Sequence, residues 1–390
     1  MNSKWVIRKS DILSNIFIFL MCIPPSLAER MGVVASIYKY TKWLALFYAL
    51  GILLKKRGRL EKIDIAVYAW FAWTAITVLI NHTGLYGWFS KYYPYFTVYI
   101  LSRYRLKRNA KDYIKLLTWI FMLLILGNYI SWIMPGTRSV DELGEPLYLI
   151  GIRTRISDII FIGIAIAIIA VLQNKMQLKW KIFFGIIVLT GVGFSIGEWV
   201  STSIVGLLLM LGLFIVSIRK KIDYRKFQIP LIIFALICFF LVVFVQIQNY
   251  FAWFIESFLG EDASLTGRTI IWESLIRQMK GVHWIWGNGL GNNIGFTIST
   301  RLTSAAHSQY LQIIYNHGIL GLAFFSVIPI ISIRKLSEFT TVEVCKYLNM
   351  ALIALLITGI TEITCDTSYF YIFLALIATM DRISEYVIRQ

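Results

Sequence analysis

The chain has 390 residues, of which 58% are hydrophobic and only 15% charged, against roughly one-quarter charged in soluble domains. That excludes an ordinary soluble enzyme and makes the bilayer the expected solvent. The net charge of +17 would suit a nucleic-acid partner, but the basic residues sit in short clusters between apolar segments, which argues for no nucleic acid at all.

A crossing helix needs roughly 20 mostly apolar residues. Segments of about that length fall in chain order at roughly 11–28, 35–54, 64–80, 89–102, 113–134, 156–173, 180–195, 198–217, 228–248, 309–333, 347–361 and 367–380. The expected fold is therefore an all-α polytopic membrane protein of about twelve spans, one integral membrane domain over 1–390 with a long loop at 249–308 inside it. The first segment has a basic start, an apolar run and then Ser26-Leu27-Ala28, which resembles a signal-peptide cleavage site. In a retained helix, Pro24 and Pro25 instead kink its end. Cys22, Cys238, Cys345 and Cys365 show no CxxC spacing and read as small apolar packing residues.

Basic clusters follow spans two, four, six and eight as KKRGRLEK, RYRLKRNAK, NKMQLKWK and RKKIDYRK, and Arg334, Lys335 and Lys346 flank the loop after span ten. These are alternate loops, so the positive-inside rule makes them cytoplasmic, together with both termini. Asp141, Glu142, Glu145, Glu256, Glu261 and Asp262 fall in the opposite set. The loop 249–308 is then outward, and its tryptophans and phenylalanines argue for folding against the membrane surface rather than disorder. Within it, TGRTIIWESLIRQMKG (266–281) predicts a helix with Thr266 as N-cap, Ile270, Ile271, Leu275 and Met279 at helical spacing, and Gly281 as stop. The following GNGLGNNIG is turn material.

After that loop comes SAAHSQYLQIIYNHGILGL (304–322). On a helix beginning near Ser304, positions 307, 311, 314, 318 and 321 share one face, which predicts His307 above two glycines, Gly318 and Gly321, that let a neighbouring helix approach. A lone interfacial histidine commonly just hydrogen-bonds a neighbour, so His307 alone does not establish chemistry. His317, His82 and His283 are expected to be structural or solvated. Arg268 opens the loop helix, where backbone N–H groups and the dipole favour an anion and a guanidinium fork matches phosphate oxygens; the alternative is a surface pair with Glu261 or Asp262. Arg153 and Arg155 end the other long outward loop, either as phosphate ligands or as snorkelling cations. GNGLG lacks the lysine of a P-loop, and no metal-ligand cluster or GxSxG elbow is present.

Taken in order, SLTGRTIIWESLI, the GNGLG turn and AHSQYLQIIYNHGILGL resemble the C-terminal half of the O-antigen ligase and Wzy-type polymerase superfamily. The resemblance implies a GT-C-like glycosyltransferase architecture and a metal-independent, inverting transfer without a cofactor, from glycan on undecaprenyl diphosphate. It implies that Arg268 holds the diphosphate and His307 activates the acceptor hydroxyl, with Trp272, Gly289, Arg153 and Arg155 contributing to substrate binding. A histidine's titration near neutrality suits a general base, and fixed cations can stabilise a departing diphosphate. One departure stands out: many members carry a cation at the outer start of a middle helix, where this chain has Ser201, with Glu198 nearby. Either Arg153 or Arg155 replaces it, or the donor is held differently. The implied partners are the lipid-linked oligosaccharide, membrane lipid, a chain-length regulator and a flippase, at the bacterial inner membrane with the site facing the periplasm. The TGR–W version favours a polymerase of O-antigen or exopolysaccharide repeat units, with a ligase to lipid A core as the alternative. A transporter or flippase predicts internal repeats and interrupted helices, and neither is evident in the sequence.

Overall fold

The structure is a computed structural model that describes residues 9–24, 33–55, 60–140, 144, 146–219, 224–247, 250, 253, 257, 268–290, 296–298, 301–303, 305–339 and 342–388. It is mostly helical, and helices coincide with the expected apolar segments. In chain order they are α1 (Lys9–Cys22), α2 (Val33–Lys55), α3 (Lys62–Ile80), α4 (Leu85–Ile133), α5 (Ile160–Gln173), α6 (Leu178–Gly197), α7 (Ser201–Arg219) and α8 (Tyr224–Val243), then α9 (Arg268–Gln278), α10 (His283–Trp286), α11 (Gln309–Ser337), α12 (Glu343–Thr358), α13 (Ser368–Ala378) and α14 (Met380–Ile388). Among the described residues, five helical stretches are long and apolar enough to cross a membrane: Lys62–Ile80, Leu85–Ile133, Arg153–Gln173, Leu178–Gly197 and Gln309–Ser337. Shorter apolar helices accompany them. The protein is a multi-pass membrane protein.

The chain divides into two compact units. The first comprises residues 1–59, 92–194 and 367–390. Its centre is α5, almost wholly buried, against which α13 and α14 pack, while α1 lies on α2 and α13. Helix α13 is buried along its whole length; Tyr369 in it donates to the carbonyl of Cys22 at 2.8 Å. The cluster RYRLKRNAK is not a loop. The helix runs through it to Asn109, where φ −153°, ψ 83° breaks the geometry, and the Asn109 side chain accepts from the Asp112 N–H at 3.1 Å. A single asparagine thus serves as N-cap for the second half. Arg105 is buried and pairs with Asp11 at 2.8 Å, and Arg103 donates to Thr379 at 2.7 Å, so this cluster is partly structural. A small hairpin pairs β1 (Ser139–Val140) with β2 (Pro146–Leu147).

The second unit comprises residues 60–91 and 195–366, and it carries every motif of the long loop. Its core is the antiparallel pair α3 and α11, with α8, α12 and the turn α10 on α11, and α7 on α12. Lys335 near the end of α11 lies 3.7 Å from Glu61 before α3, while Gly289 packs against Asn81 and Thr83 just past the opposite end of α3. A second hairpin pairs β3 (Phe296–Ile298) with β4 (Arg301–Thr303). Ser26 to Ala28, Thr266, Gly267 and the acids Asp141, Glu142, Glu145, Glu256, Glu261 and Asp262 lie outside the described residues.

Candidate active site

The loop helix α9 covers Arg268–Gln278, inside the 266–281 expected, and Gly281 follows it with φ +54°. Its inward face is Ile271, Trp272, Leu275 and Met279, while Ile270 is 52% exposed; four-residue steps from Ile271, with Trp272 alongside, define the stripe. Arg268 is largely buried. One terminal nitrogen donates to the carbonyl of Thr361 at 3.0 Å and the other to Glu362 Oε1 at 2.6 Å. The partner is thus a buried acid 94 residues downstream, which sequence spacing alone could not reveal.

His307 is not on a helix. The helix begins at Gln309, with Ser308 as an extended N-cap whose hydroxyl accepts from Leu311, and His307 stands before the cap with φ +47°. The expectation of one face running from 307 to 321 fails for that reason and because α11 is interrupted at Gly318 (φ 71°, ψ −177°). A left-handed conformation at a non-glycine residue stores strain of the kind that gathers at functional sites. The flanking residues over-determine it. Ala306 donates its N–H to Gln312 Oε1 at 2.8 Å and accepts from Trp272 Nε1 at 2.8 Å. Gln309 donates its N–H to the carbonyls of Gly359 and Glu362 at 2.8 and 3.0 Å, and its side chain accepts from the Cys365 N–H at 2.9 Å.

The 359–365 turn therefore ties the two candidate residues together: Arg268 holds it at Thr361 and Glu362, and it holds Gln309, two residues from His307. Trp272 closes the circuit from α9 to Ala306. Expected as a substrate contact, Trp272 is instead fully buried and donates to protein backbone, so its role here is to join α9 to the histidine segment. Glu362, Thr361, Gln309 and Gln312 are the members that the sequence reading missed.

The glycine turn has a comparable explanation. The break at Gly318 releases three carbonyls of α11. The Tyr315 carbonyl accepts from the Asn288 N–H at 2.8 Å, the Asn316 carbonyl from the Gly289 N–H at 2.9 Å, and the His317 carbonyl from Trp73 Nε1 at 3.2 Å. Gly287 (φ 79°, ψ −173°) and Gly318 share a backbone region essentially reserved for glycine. A Cβ on Gly287 would lie 2.3 Å from Asn316 backbone, and one on Gly318 1.9 Å from the Ile285 carbonyl oxygen. Gly289 also sits tightly, its missing Cβ 2.4 Å from Thr83 Oγ1, so it packs against protein rather than presenting an open cradle. At Gly321 a Cβ would meet His317 and Trp73, which brings α3 close as expected of a small residue.

His317 is buried on α3, with Nδ1 2.6 Å from Thr77 Oγ1 and its ring edge-on to Trp70. It is the packing histidine the sequence anticipates. His283 Nδ1 lies 3.0 Å from the Gly287 carbonyl. Arg153 and Arg155 belong to the first unit, on a 3-10 turn (Arg153–Asp158) that leads into α5, with Arg155 3.2 Å from Asp158. Ser201 opens α7, so the start of that helix is neutral.

No curated protein matches the chain. Residues 200–326 match the family model described as O-antigen ligase; the match takes in α9, the glycine turn, His307 and both glycines of α11. Over that segment the chain is similar to the O-antigen ligase family, which supports the resemblance to the O-antigen ligase and Wzy-type superfamily.

Proposed function

We propose that the protein is a polymerase of undecaprenyl-diphosphate-linked repeat units, O-antigen or exopolysaccharide, working by metal-independent inverting transfer at the periplasmic face of the inner membrane. The observation that carries this reading is the circuit joining Arg268, Glu362, Gln309 and the strained His307, of which Arg268, His307 and Gln309 lie in the segment that matches the family and Glu362 lies beyond it. In the proposed reaction His307 takes the proton of the acceptor hydroxyl as its oxygen attacks the anomeric carbon. The bond from that carbon to the diphosphate breaks on the opposite face, and undecaprenyl diphosphate departs. A guanidinium has five donors; Arg268 uses two on protein, and the remainder are proposed to meet the phosphate oxygens.

The matched family's description names a ligase, which supports the second reading, transfer of finished glycan to lipid A core. A deletion strain separates them: lipid-linked single repeat units mean a polymerase, and long unattached chains mean a ligase. An interrupted helix at Gly318 would suit a transporter, yet its three released carbonyls are occupied by Asn288, Gly289 and Trp73 rather than turned to an ion. The topology that accompanies this proposal has about twelve spans, both termini cytoplasmic and 249–308 periplasmic. Reporter fusions at Ser264 and Arg57 should report opposite sides; the same side for both would overturn it.

A further inference from the structure

We infer that Lys91 is a second cation for the donor diphosphate. The inference rests on the function proposed above and deepens it. Lys91 lies in the second turn of α4, in the aromatic run WFSKYYPYF. Its ammonium is 2.6 Å from Asp366 Oδ2, with side-chain exposures of 31% and 16%. Asp366 is four residues from Glu362, and both belong to the loop between α12 and α13 on which Arg268 and Gln309 converge. Two cations from distant parts of the chain thus end on one loop beside the start of α11.

Snorkelling does not account for this, because a snorkelling lysine carries its charge to water whereas Lys91 ends on a carboxylate. The contrast with Arg277 is direct: that cation pairs with Glu273 one turn away on α9 at 76% side-chain exposure, an ordinary surface pair of small energetic weight. An ionisable residue placed among apolar helices is costly unless it serves a purpose. The two acids keep Lys91 and Arg268 fixed and charge-balanced before the donor arrives, so a diphosphate meets oriented donors and does not have to order a free lysine chain. Lysine and arginine then act differently, one as a point charge and the other as a fork.

The test is binding of undecaprenyl diphosphate to purified protein in nanodiscs, with the uncharged prenol as control. Lys91→Ala should weaken diphosphate binding about tenfold or more while leaving prenol binding unchanged, and Lys91→Arg should retain most of it. Asp366→Asn removes the competing charge but leaves an amide oxygen that can still accept from the ammonium and hold it oriented, so its affinity should be unchanged or higher. Should the lone-acid burden of Lys91→Ala prevent folding, the double variant Lys91→Met with Asp366→Asn removes both charges and should still lose binding. Equal losses in Lys91→Ala and Asp366→Asn would make the pair a strut and overturn the inference. Wild-type affinity in Lys91→Ala or in the double variant, beside a loss in Arg268→Ala, would remove Lys91 from the site and leave the proposed function standing. Wild-type protein that binds diphosphate no better than prenol would overturn both.

Discussion

The two halves of α11, before and after Gly318, are built for different surroundings. Residues 309–318 are buried on every side and rich in polar groups: Gln309, Gln312, Asn316 and His317 all engage protein partners. Beyond the break Ile319, Leu320, Phe324 and Val327 are exposed on the surface that lipid would cover. In an apolar solvent an unpaired polar group is costly, so a helix half with this composition persists only where protein surrounds it. The first half therefore reads as scaffold for the site and the second as a membrane anchor, and the glycine between them lets one continuous segment be both.

The sharpest way to break this division is Gly318→Ala. It combines a conformation costing about 1–3 kcal/mol for any side chain with a methyl group driven into the Ile285 carbonyl. The expected outcome is loss of folded protein, read as membrane level and melting temperature in detergent; a normal melting curve would refute the docking described for the glycine turn. Next comes His307→Asn, which should insert and melt normally but transfer glycan on the order of 10²–10⁴ more slowly, since an amide cannot take the proton. Wild-type turnover in that variant would remove His307 from the chemistry.

Gln312→Leu tests whether the first half serves the site. It orphans the Ala306 N–H and removes the contact to Asn316, at about 1–3 kcal/mol, and should slow transfer roughly tenfold by loosening the backbone beside His307. A stability loss with unchanged turnover would confine Gln312 to packing. His317→Ala should lower stability by about 1–2 kcal/mol with little change in turnover, because Thr77 keeps its bond to Thr74. At the small end, Val327→Ala on the exposed side of the second half should change melting by less than about 0.5 kcal/mol; a larger effect would mean that protein, not lipid, covers that face.

What was legible in the sequence follows from the range of the forces involved. Apolar length shows where helices lie, because each helix satisfies its own backbone. The loop helix was visible from its spacing and its glycine stop. His307 is legible as a candidate but its place before the helix is not, since periodicity alone gives no sign of Ser308 capping the helix after it. The same limit applies at Asn109, where a charged run suggested a loop and a self-capping asparagine kept the helix going. Glu362 and Asp366 escaped notice because their meaning lies in cations 94 and 275 residues away, and nothing local in their own segment announces those partners.

The docking of the glycine turn on the break at Gly318 also bears on how the chain is assembled. Synthesis proceeds from the N-terminus, so the turn that supplies the Asn288 and Gly289 N–H groups exists before Tyr315 and Asn316, which receive them. The repair for the broken helix is thus made in advance and lies fewer than about 30 residues upstream, a short loop closure with little entropy to lose. A polar gap in a membrane helix would otherwise be a hazard during biogenesis. Here the glycine turn can dock on the break as soon as α11 is made, while Gln309 and Tyr310 at its start wait for partners at residues 356–365.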